Sequence, residues 1–191
     1  MKTEKANLVI RSAVTEDAQI LTDWWNNGEI MAHAGFPKGL GQTMERTLQQ
    51  IGKNQMGLSQ LCLIEIDYAR VGEMSYRISD HAAEIGIKIC DAAYQNKGYG
   101  SRLLCMLIDY LFLDEALNQA ASIDRILLDT DLQNTRAQHV YEKVGFRKKA
   151  VNQNAWQNQL GEWQTSVDYE LSRIDYESKN GCQENSSAVR K

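Results

Sequence analysis

The apolar positions of the chain change period several times, and each period predicts an element. Short alternating or continuous apolar runs are typical of strands, whereas apolar residues three and four positions apart are typical of helices. Residues 7–13 predict a first strand, and the helix after it carries an apolar stripe that includes Trp24 and Trp25. Residues 43–53 predict a second helix, with Thr43 as its N-cap.

The middle of the chain predicts three strands in series, over residues 61–66, 72–78 and 82–89. Because only short, turn-rich gaps separate these strands, antiparallel pairing is predicted. After Gly100 the apolar residues recur at helical spacing, which predicts a long helix that ends near Leu117.

The last third of the chain predicts a buried strand over residues 125–129 and a helix over residues 134–143, which Gly145 closes. Two further strands are predicted over about residues 146–151 and 164–171. The order of strand, crossover helix and strand implies one parallel pair inside a mixed, mostly antiparallel sheet flanked by helices, which is an α/β fold.

Composition and charge narrow the class of protein. The 191 residues are 43% apolar and 24% charged, which suits one domain with a core over residues 1–174. Residues 175–191 lack apolar periodicity, and we expect a mobile tail there. A net charge of −4 gives no reason to expect nucleic acid or a membrane as partner. No signal-peptide pattern and no membrane span is recognised, so a cytoplasmic location is expected.

The four cysteines do not indicate a metal site. Cys62, Cys90, Cys105 and Cys182 form neither a C-x-x-C pair nor a Cys/His cluster with metal-ligand spacing, so no metal is expected. The first three lie in apolar runs, which predicts buried, reduced thiols.

The stretch with the most chemical information is the turn from Gln95 to Gly100, between a predicted strand and the long helix. The first N–H groups of a helix are unpaired, and the helix dipole favours an anion there. Gly98 and Gly100 let the backbone approach a bulky anion, Lys97 adds positive charge, and Ser101 adds a hydroxyl donor. These features together predict a site for a pyrophosphate.

One alternative remains open for this turn, and two other phosphate-binding motifs do not match it. The glycines could serve only to shape a tight strand-to-helix connection. A dinucleotide site would need glycine at position 103, where the chain has Leu103, and the Gly-Lys-Ser/Thr of a P-loop is absent.

A second block, from Asn134 through Ala137 and Tyr141 to Gly145-Phe146, follows the turn. The two blocks together resemble the GCN5-related N-acetyltransferase (GNAT) superfamily. The turn is similar to its Q/R-x-x-G-x-G/A motif, and the second block to its N-x-x-A…Y-x-x-x-G-F motif. The chain looks most similar to the branch of ribosomal-protein N-terminal and aminoglycoside 6'-acetyltransferases.

The resemblance implies an acyl-CoA N-acyltransferase fold in which acetyl-CoA lies between two splayed parallel strands, here residues 82–90 and 125–131. The backbone of Ile87 and Ile89 would pair with the pantetheine amides, and Asn134 would contact the pantetheine arm. The turn would hold the pyrophosphate through Gln95, Asn96, Lys97, Gly98, Tyr99, Gly100 and Ser101.

The resemblance also implies roles in catalysis. Tyr141 would be the general acid for the departing thiolate, and either Glu84 or Asp129 would be the general base. Trp24, Trp25 and Glu84 are the candidates for contact with the acceptor substrate.

The expected reaction is direct acetyl transfer from acetyl-CoA to a primary amine, either a small molecule or a protein N-terminus. An aminoglycoside acetyltransferase and a non-catalytic acyl-CoA sensor are the alternatives. A homodimer is one of the open oligomeric states.

Overall fold

A computed structural model of the protein describes residues 1–53, 57–179 and 181–182. Eight strands form one sheet in the order β1-β2-β3-β4-β5-β6-β8-β7. Their bounds are Lys2–Lys5 (β1), Leu8–Ser12 (β2), Ser59–Ile66 (β3), Ala69–Ser79 (β4), Ala82–Ile89 (β5), Arg125–Asp131 (β6), Arg147–Gln157 (β7) and Trp163–Ser172 (β8). The helices are Ala18–Asn26 (α1), Gly28–Met31 (α2), Met44–Gly52 (α3), Tyr99–Leu113 (α4), Glu115–Ala121 (α5), Thr135–Val144 (α6) and Arg173–Ser178 (α7).

The pairing of the strands follows the lengths of their connections. The loops from β3 to β4 and from β4 to β5 have two residues each, Asp67-Tyr68 and Asp80-His81, and all four have positive φ. Two positive φ angles in a two-residue loop match the twist of an antiparallel hairpin. Between β5 and β6 the chain forms α4 and α5, and these strands pair in parallel. The predicted antiparallel series and the single parallel pair are therefore confirmed.

Helices cover both faces of the sheet, because the side chains of a strand alternate between faces. Cys62 and Ile64 of β3 pack in the larger core with Leu107 of α4. Leu63, between them, packs instead with Leu21 of α1 and with α3. Thus α4 and α6 lie on one face, and α1 and α3 lie on the other.

The long helix is shorter than the periodicity predicts. It ends at Leu113 and not near Leu117, because Asp114 is extended and starts α5 as its N-cap. The side chain of Asp114 accepts the Leu117 N–H at 2.8 Å. Apolar spacing continued across this break, so the sequence pattern merged two helices.

The C-terminal region corrects two predictions. The chain does not leave the core at residue 175, since Tyr176 of α7 is only 5% exposed and donates a hydrogen bond to Asp109 at 2.8 Å. Cys105 is not a reduced thiol but is joined to Cys182 by a disulfide, whereas Cys62 and Cys90 are free and buried. The short helix α7 buries only the ring of Tyr176, so it has no apolar periodicity from which the sequence could predict it. The rest of the predicted tail, residues 183–191, lies outside the described residues.

Within the described ranges, no helix has the length and apolar character needed to cross a bilayer.

Candidate active site

The site is a gap in the middle of the sheet. Strands β5 and β6 pair only between residues 82–84 and 125–127. Beyond these pairs β5 continues to Ile89 and β6 to Asp131, and no further residues of the two strands pair with each other. The parallel strands therefore separate towards their carboxyl ends, as the resemblance led us to expect.

Backbone groups of β5 line the open edge of this gap. Cys90 donates its N–H to the carbonyl of Val71 in β4 at 2.8 Å. Because successive residues of a strand direct their backbone groups to opposite sides, those of Ile87 and Ile89 point away from β4 and into the gap. The Ile89 carbonyl already accepts the side-chain amide of Gln95 at 2.8 Å, while no strand pairs with Ile87 on this side.

Two cavities meet at the gap. The smaller, about 580 Å³, runs from the gap to the start of α4. The larger, about 820 Å³, lies over the other side of β4, β5, β6 and β8. Five residues line both of them: Ile85, Gly86, Leu128, Asp129 and Trp156. A molecule in one cavity can thus reach a molecule in the other through the opened sheet.

The predicted pyrophosphate turn lies at the end of the smaller cavity, which Gln95 and Gly100 line. Gly98 is the N-cap of α4 with φ 78°, and no side chain caps this helix end. A methyl group added at Gly98 would meet no protein atom within 4 Å, and one at Gly100 would meet only Val140 at 3.8 Å. Protein packing therefore does not require glycine at position 100, whereas an approaching anion would.

Arg136 is a residue of this site that sequence reasoning missed. It lies in the first turn of α6 and lines the smaller cavity. Its guanidinium donates to the side chains of Gln95 (3.2 Å) and Asn96 (3.4 Å). It adds a second positive charge to that of Lys97, whose Nζ lies 6.0 Å from the Tyr94 ring centroid. Arg136 follows the Asn134 cap by two positions, so the sequence places it at the start of α6. Its proximity to the turn follows only from the packing of α6 beside α4.

Asn134 has a structural role in addition to its place in the cavity wall. Its side-chain oxygen accepts the Ala137 N–H at 3.2 Å and so caps α6. Its amide donates to the hydroxyl of Thr130 at 3.2 Å. These bonds fix the end of β6 to the start of α6 and leave further hydrogen-bonding capacity on the amide.

Tyr141 lies where its motif suggests, in the wall of the smaller cavity. It is 7% exposed, and its ring packs edge-on to Tyr169 with centroids 5.7 Å apart. Burial, with a contribution from the charge of Asp129, raises the pKa of Tyr141 to about 12. None of the described residues forms a hydrogen bond with its hydroxyl. Tyr141 is thus held protonated at neutral pH with a free donor.

The two candidate bases have different surroundings. Asp129 lines both cavities and lies directly opposite Asp168 of β8. Desolvation, followed by the charges of Asp168 and Glu84, raises the pKa of Asp129 above its ordinary value, although the residue is exposed at the cavity wall. Glu84 lines only the larger cavity and is paired with Arg77 at 2.6 Å. Asp129 is therefore the better placed of the two.

Trp24 and Trp25 line neither of the two cavities, so their contact with the acceptor stays a prediction that these walls do not support. Trp25 is buried in the core between α1 and α3, and its indole N–H donates to Glu73 at 2.8 Å. Trp24 packs at the edge of the same core. The tryptophan that does line the cavities is Trp156, which sequence reasoning did not consider.

A sheet opened between two parallel strands, with an anion-binding helix end on one side and carboxylates on the other, is suited to group transfer between two substrates. The family described as Acetyltransferase (GNAT) domain matches residues 7–147. The chain belongs to this family of acetyltransferases.

A curated relative supports the same family. Over 64 residues the chain is 36% identical to the [ribosomal protein bS18]-alanine N-acetyltransferase of Haemophilus ducreyi. This match covers 34% of the chain and 39% of the relative, so the chain spans about two fifths of that protein's length.

Solved structures show the same fold. A ribosomal L7/L12 alpha-N-protein acetyltransferase in complex with coenzyme A is 18% identical with a TM-score of 0.77, covering 90% of this chain and 98% of that one. The spermidine N-acetyltransferase of Vibrio cholerae, in complex with CoA and spermine, is 19% identical with a TM-score of 0.77, covering 90% and 99%.

Proposed function

We propose that this chain transfers an acetyl group from acetyl-CoA to a primary amine by direct attack within a ternary complex. The observation that carries the proposal is the junction of the two cavities at the strand gap, with Asp129 in both walls and Tyr141 beside it. One cavity would hold the thioester, and the other would hold the amine.

The smaller cavity fits coenzyme A in its chemistry. The uncapped N-terminus of α4, with space at Gly98 and Gly100, suits a diphosphate, and Lys97 and Arg136 add positive charge. The free carbonyl of Ile87 can accept the N–H of an amide in an extended arm, at the edge where an added strand would pair. When bound, acetyl-CoA supplies the acetyl group as an activated thioester.

Acetyl transfer needs a base for the ammonium, a donor for the oxyanion and an acid for the departing thiolate. Residues at the gap can serve each of these. Asp129 is placed to accept the proton that the ammonium of the substrate must lose before its nitrogen attacks. The Ile87 N–H faces the gap, where it can donate to the carbonyl oxygen as negative charge develops. As the tetrahedral intermediate collapses, Tyr141 can give its proton to the departing sulfur. The nitrogen gives up its second proton to solvent, and Tyr141 regains one from solvent. No covalent enzyme intermediate is needed.

The charges of the larger cavity support an acceptor with one ammonium at the gap. Two of its carboxylates have cations of their own, because Glu84 pairs with Arg77 at 2.6 Å and Glu170 with Lys149 at 3.1 Å. The other two, Asp129 and Asp168, face each other, and no cation among the described residues lies within ion-pair distance of them. Uncompensated negative charge therefore lies beside the gap, where the amine must react. A protein N-terminus, as in the curated relative's name, or a small primary amine carries such an ammonium.

The same charges argue against an aminoglycoside as the main substrate. A polycation would need a broad acidic cleft, yet Lys53, Arg77 and Lys149 also line this cavity. The unpartnered Tyr141 hydroxyl argues against a sensor that only binds the cofactor.

The proposal is tested by incubating the purified chain with acetyl-CoA and a panel of amines. The panel contains short peptides with free N-termini, amino acid amides, spermidine and kanamycin, and acetylated products are detected by mass spectrometry. We expect acetylation of peptides or amides, and loss of turnover with retained acetyl-CoA affinity in Tyr141→Phe. Binding of acetyl-CoA without acetylation of any amine would identify a sensor.

A further inference from the structure

Trp156 occupies a special position in the site. Of the five residues that line both cavities, four belong to β5 and β6, which form the gap itself. Trp156 belongs to β7, which is separated from β6 by β8. It is also the only aromatic residue of the five.

An irregularity in β7 brings this ring towards the gap. Asn152 pairs with Ser166 and Trp156 with Gln164, so four steps along β7 match two steps along β8. Asn154, within this segment, has a positive φ of 51°. Extra residues on one strand bend it and change the direction of its side chains. The bend gives β7 a side chain at the junction of the cavities.

A bridge between two loops holds the ring in place. We define the bridge as residues 35–39 and residues 156–159. A methyl group at Gly35 would lie 2.2 Å from Trp156 Cζ3, so the ring rests directly on the bare α-carbon of Gly35.

Gln159 ties the two segments of the bridge together by three hydrogen bonds. Its N–H donates to the Gly35 carbonyl at 2.8 Å, and its side-chain amide donates to the Gly39 carbonyl at 3.0 Å. Its side-chain oxygen accepts the Lys38 N–H at 2.9 Å. These bonds hold the Gly35 segment against the Trp156 ring, so the ring cannot move towards this segment without breaking them.

We propose that Trp156 sets acceptor specificity by limiting the bulk of the substituent on the carbon that carries the reacting amine. This inference rests on the proposed acetyl transfer. The attacking nitrogen must come within about 3.5 Å of the thioester carbon at the junction. The carbon next to that nitrogen then lies against the junction walls, and Trp156 is the bulky part of them, which the bridge supports at Gly35. Small substituents fit beside the indole, and large ones collide with it.

The test compares acetylation of glycinamide and phenylalaninamide, two amines that differ only in the substituent on this carbon. We expect the wild-type chain to prefer glycinamide in kcat/KM. Trp156→Ala should shift the ratio towards phenylalaninamide by about tenfold or more, the low end of the effect of one methylene group in an apolar pocket. The ratio in Trp156→Phe should lie between those of the wild-type chain and Trp156→Ala.

A matched control is available in the neighbouring strand. Trp163 of β8 is 60% exposed and lines neither cavity, so Trp163→Ala should leave the ratio unchanged. A second variant, Gln159→Ala, removes two hydrogen bonds of the bridge without altering the ring. It should shift the ratio in the same direction as Trp156→Ala, and it decides the matter if Trp156→Ala does not fold.

The outcomes separate this inference from the function on which it rests. If both amides are acetylated and the ratio stays within twofold of wild type in Trp156→Ala, or in Gln159→Ala where the former is unfolded, Trp156 does not set specificity. If acetyl-CoA binds but no amine is acetylated by wild type, the proposed function fails and the inference fails with it. A shift that also occurs in Trp163→Ala would be non-specific and would overturn the inference.

Discussion

Replacing Gly98 by aspartate separates the folding role of this glycine from its role in binding. Gly98 has φ 78°, and an added Cβ would meet no protein atom within 4 Å. The folding cost is therefore that of a non-glycine residue in a left-handed conformation, about 1–2 kcal/mol. For a chain of this size, each kcal/mol lowers Tm by about 2–4 °C, so Gly98→Asp should remain folded at room temperature.

The cost for cofactor binding is much larger. A carboxylate about 4 Å from a phosphate charge costs between about 1 kcal/mol in water and about 4 kcal/mol near a protein surface. Displacing one charge-assisted hydrogen bond adds about 1.5–3 kcal/mol. The sum of roughly 2.5–7 kcal/mol corresponds to a loss of affinity for acetyl-CoA of about 10²- to 10⁵-fold.

The assay is isothermal titration calorimetry with acetyl-CoA, with Tm measured on the same samples. Gly161→Asp is the matched control, since Gly161 also has a positive φ (81°) and open space at its Cβ position but lies in the β7–β8 loop. It should lose similar stability and no affinity. Gly98→Asn, which removes the charge, should lose less affinity than Gly98→Asp. A folded Gly98→Asp chain that binds acetyl-CoA within threefold of wild type would refute the diphosphate site.

Three further predictions concern catalysis and stability. Tyr141→Phe should lower kcat by about 10²-fold or more with an unchanged Kd for acetyl-CoA, because general acid catalysis contributes about 10²- to 10⁴-fold; an unchanged kcat would remove Tyr141 from the mechanism. Asp129 must be deprotonated to act as base, and its raised pKa places the acid limb of the kcat/KM profile above that of an ordinary aspartate. Asp168→Asn removes one cause of that rise, so the acid limb should move to lower pH, and a limb that does not move would favour another base. Arg11→Met should lower the free energy of unfolding in urea by about 2–4 kcal/mol, because it leaves the buried Asp17 carboxylate without its 2.6 Å partner. The loss should be smaller than for a fully buried ion pair, because Arg11 is partly exposed. A loss below 1 kcal/mol would show that Arg70 replaces Arg11 as the partner of Asp17.

The local parts of the fold and site could be predicted from sequence because their signals are local. The turn from Gln95 to Gly100, the Asn134 cap and the Gly145 end of α6 each depend on a few adjacent residues. The single parallel pair followed from the helical crossover. Periodicity, glycine and capping chemistry were sufficient for these elements.

The remaining features depend on contacts between distant parts of the chain. Trp156 reaches the site through an irregularity in β7 and a contact with Gly35, which lies near the other end of the chain. Arg136 reaches the turn only because α6 packs beside α4. Trp25 lies in the core and not at a cavity. An aromatic residue on an amphipathic helix does not indicate by itself whether it faces the core or a binding site.

The central claim is that acetyl transfer takes place at the gap between β5 and β6. The most direct measurement is a crystal structure of the chain with bound acetyl-CoA. We expect the diphosphate against the backbone of Gly98 and Gly100, the extended arm along Ile87, and the thioester within reach of Asp129 and Tyr141. Acetyl-CoA bound with its thioester away from the gap, or with its diphosphate elsewhere than the start of α4, would contradict the account.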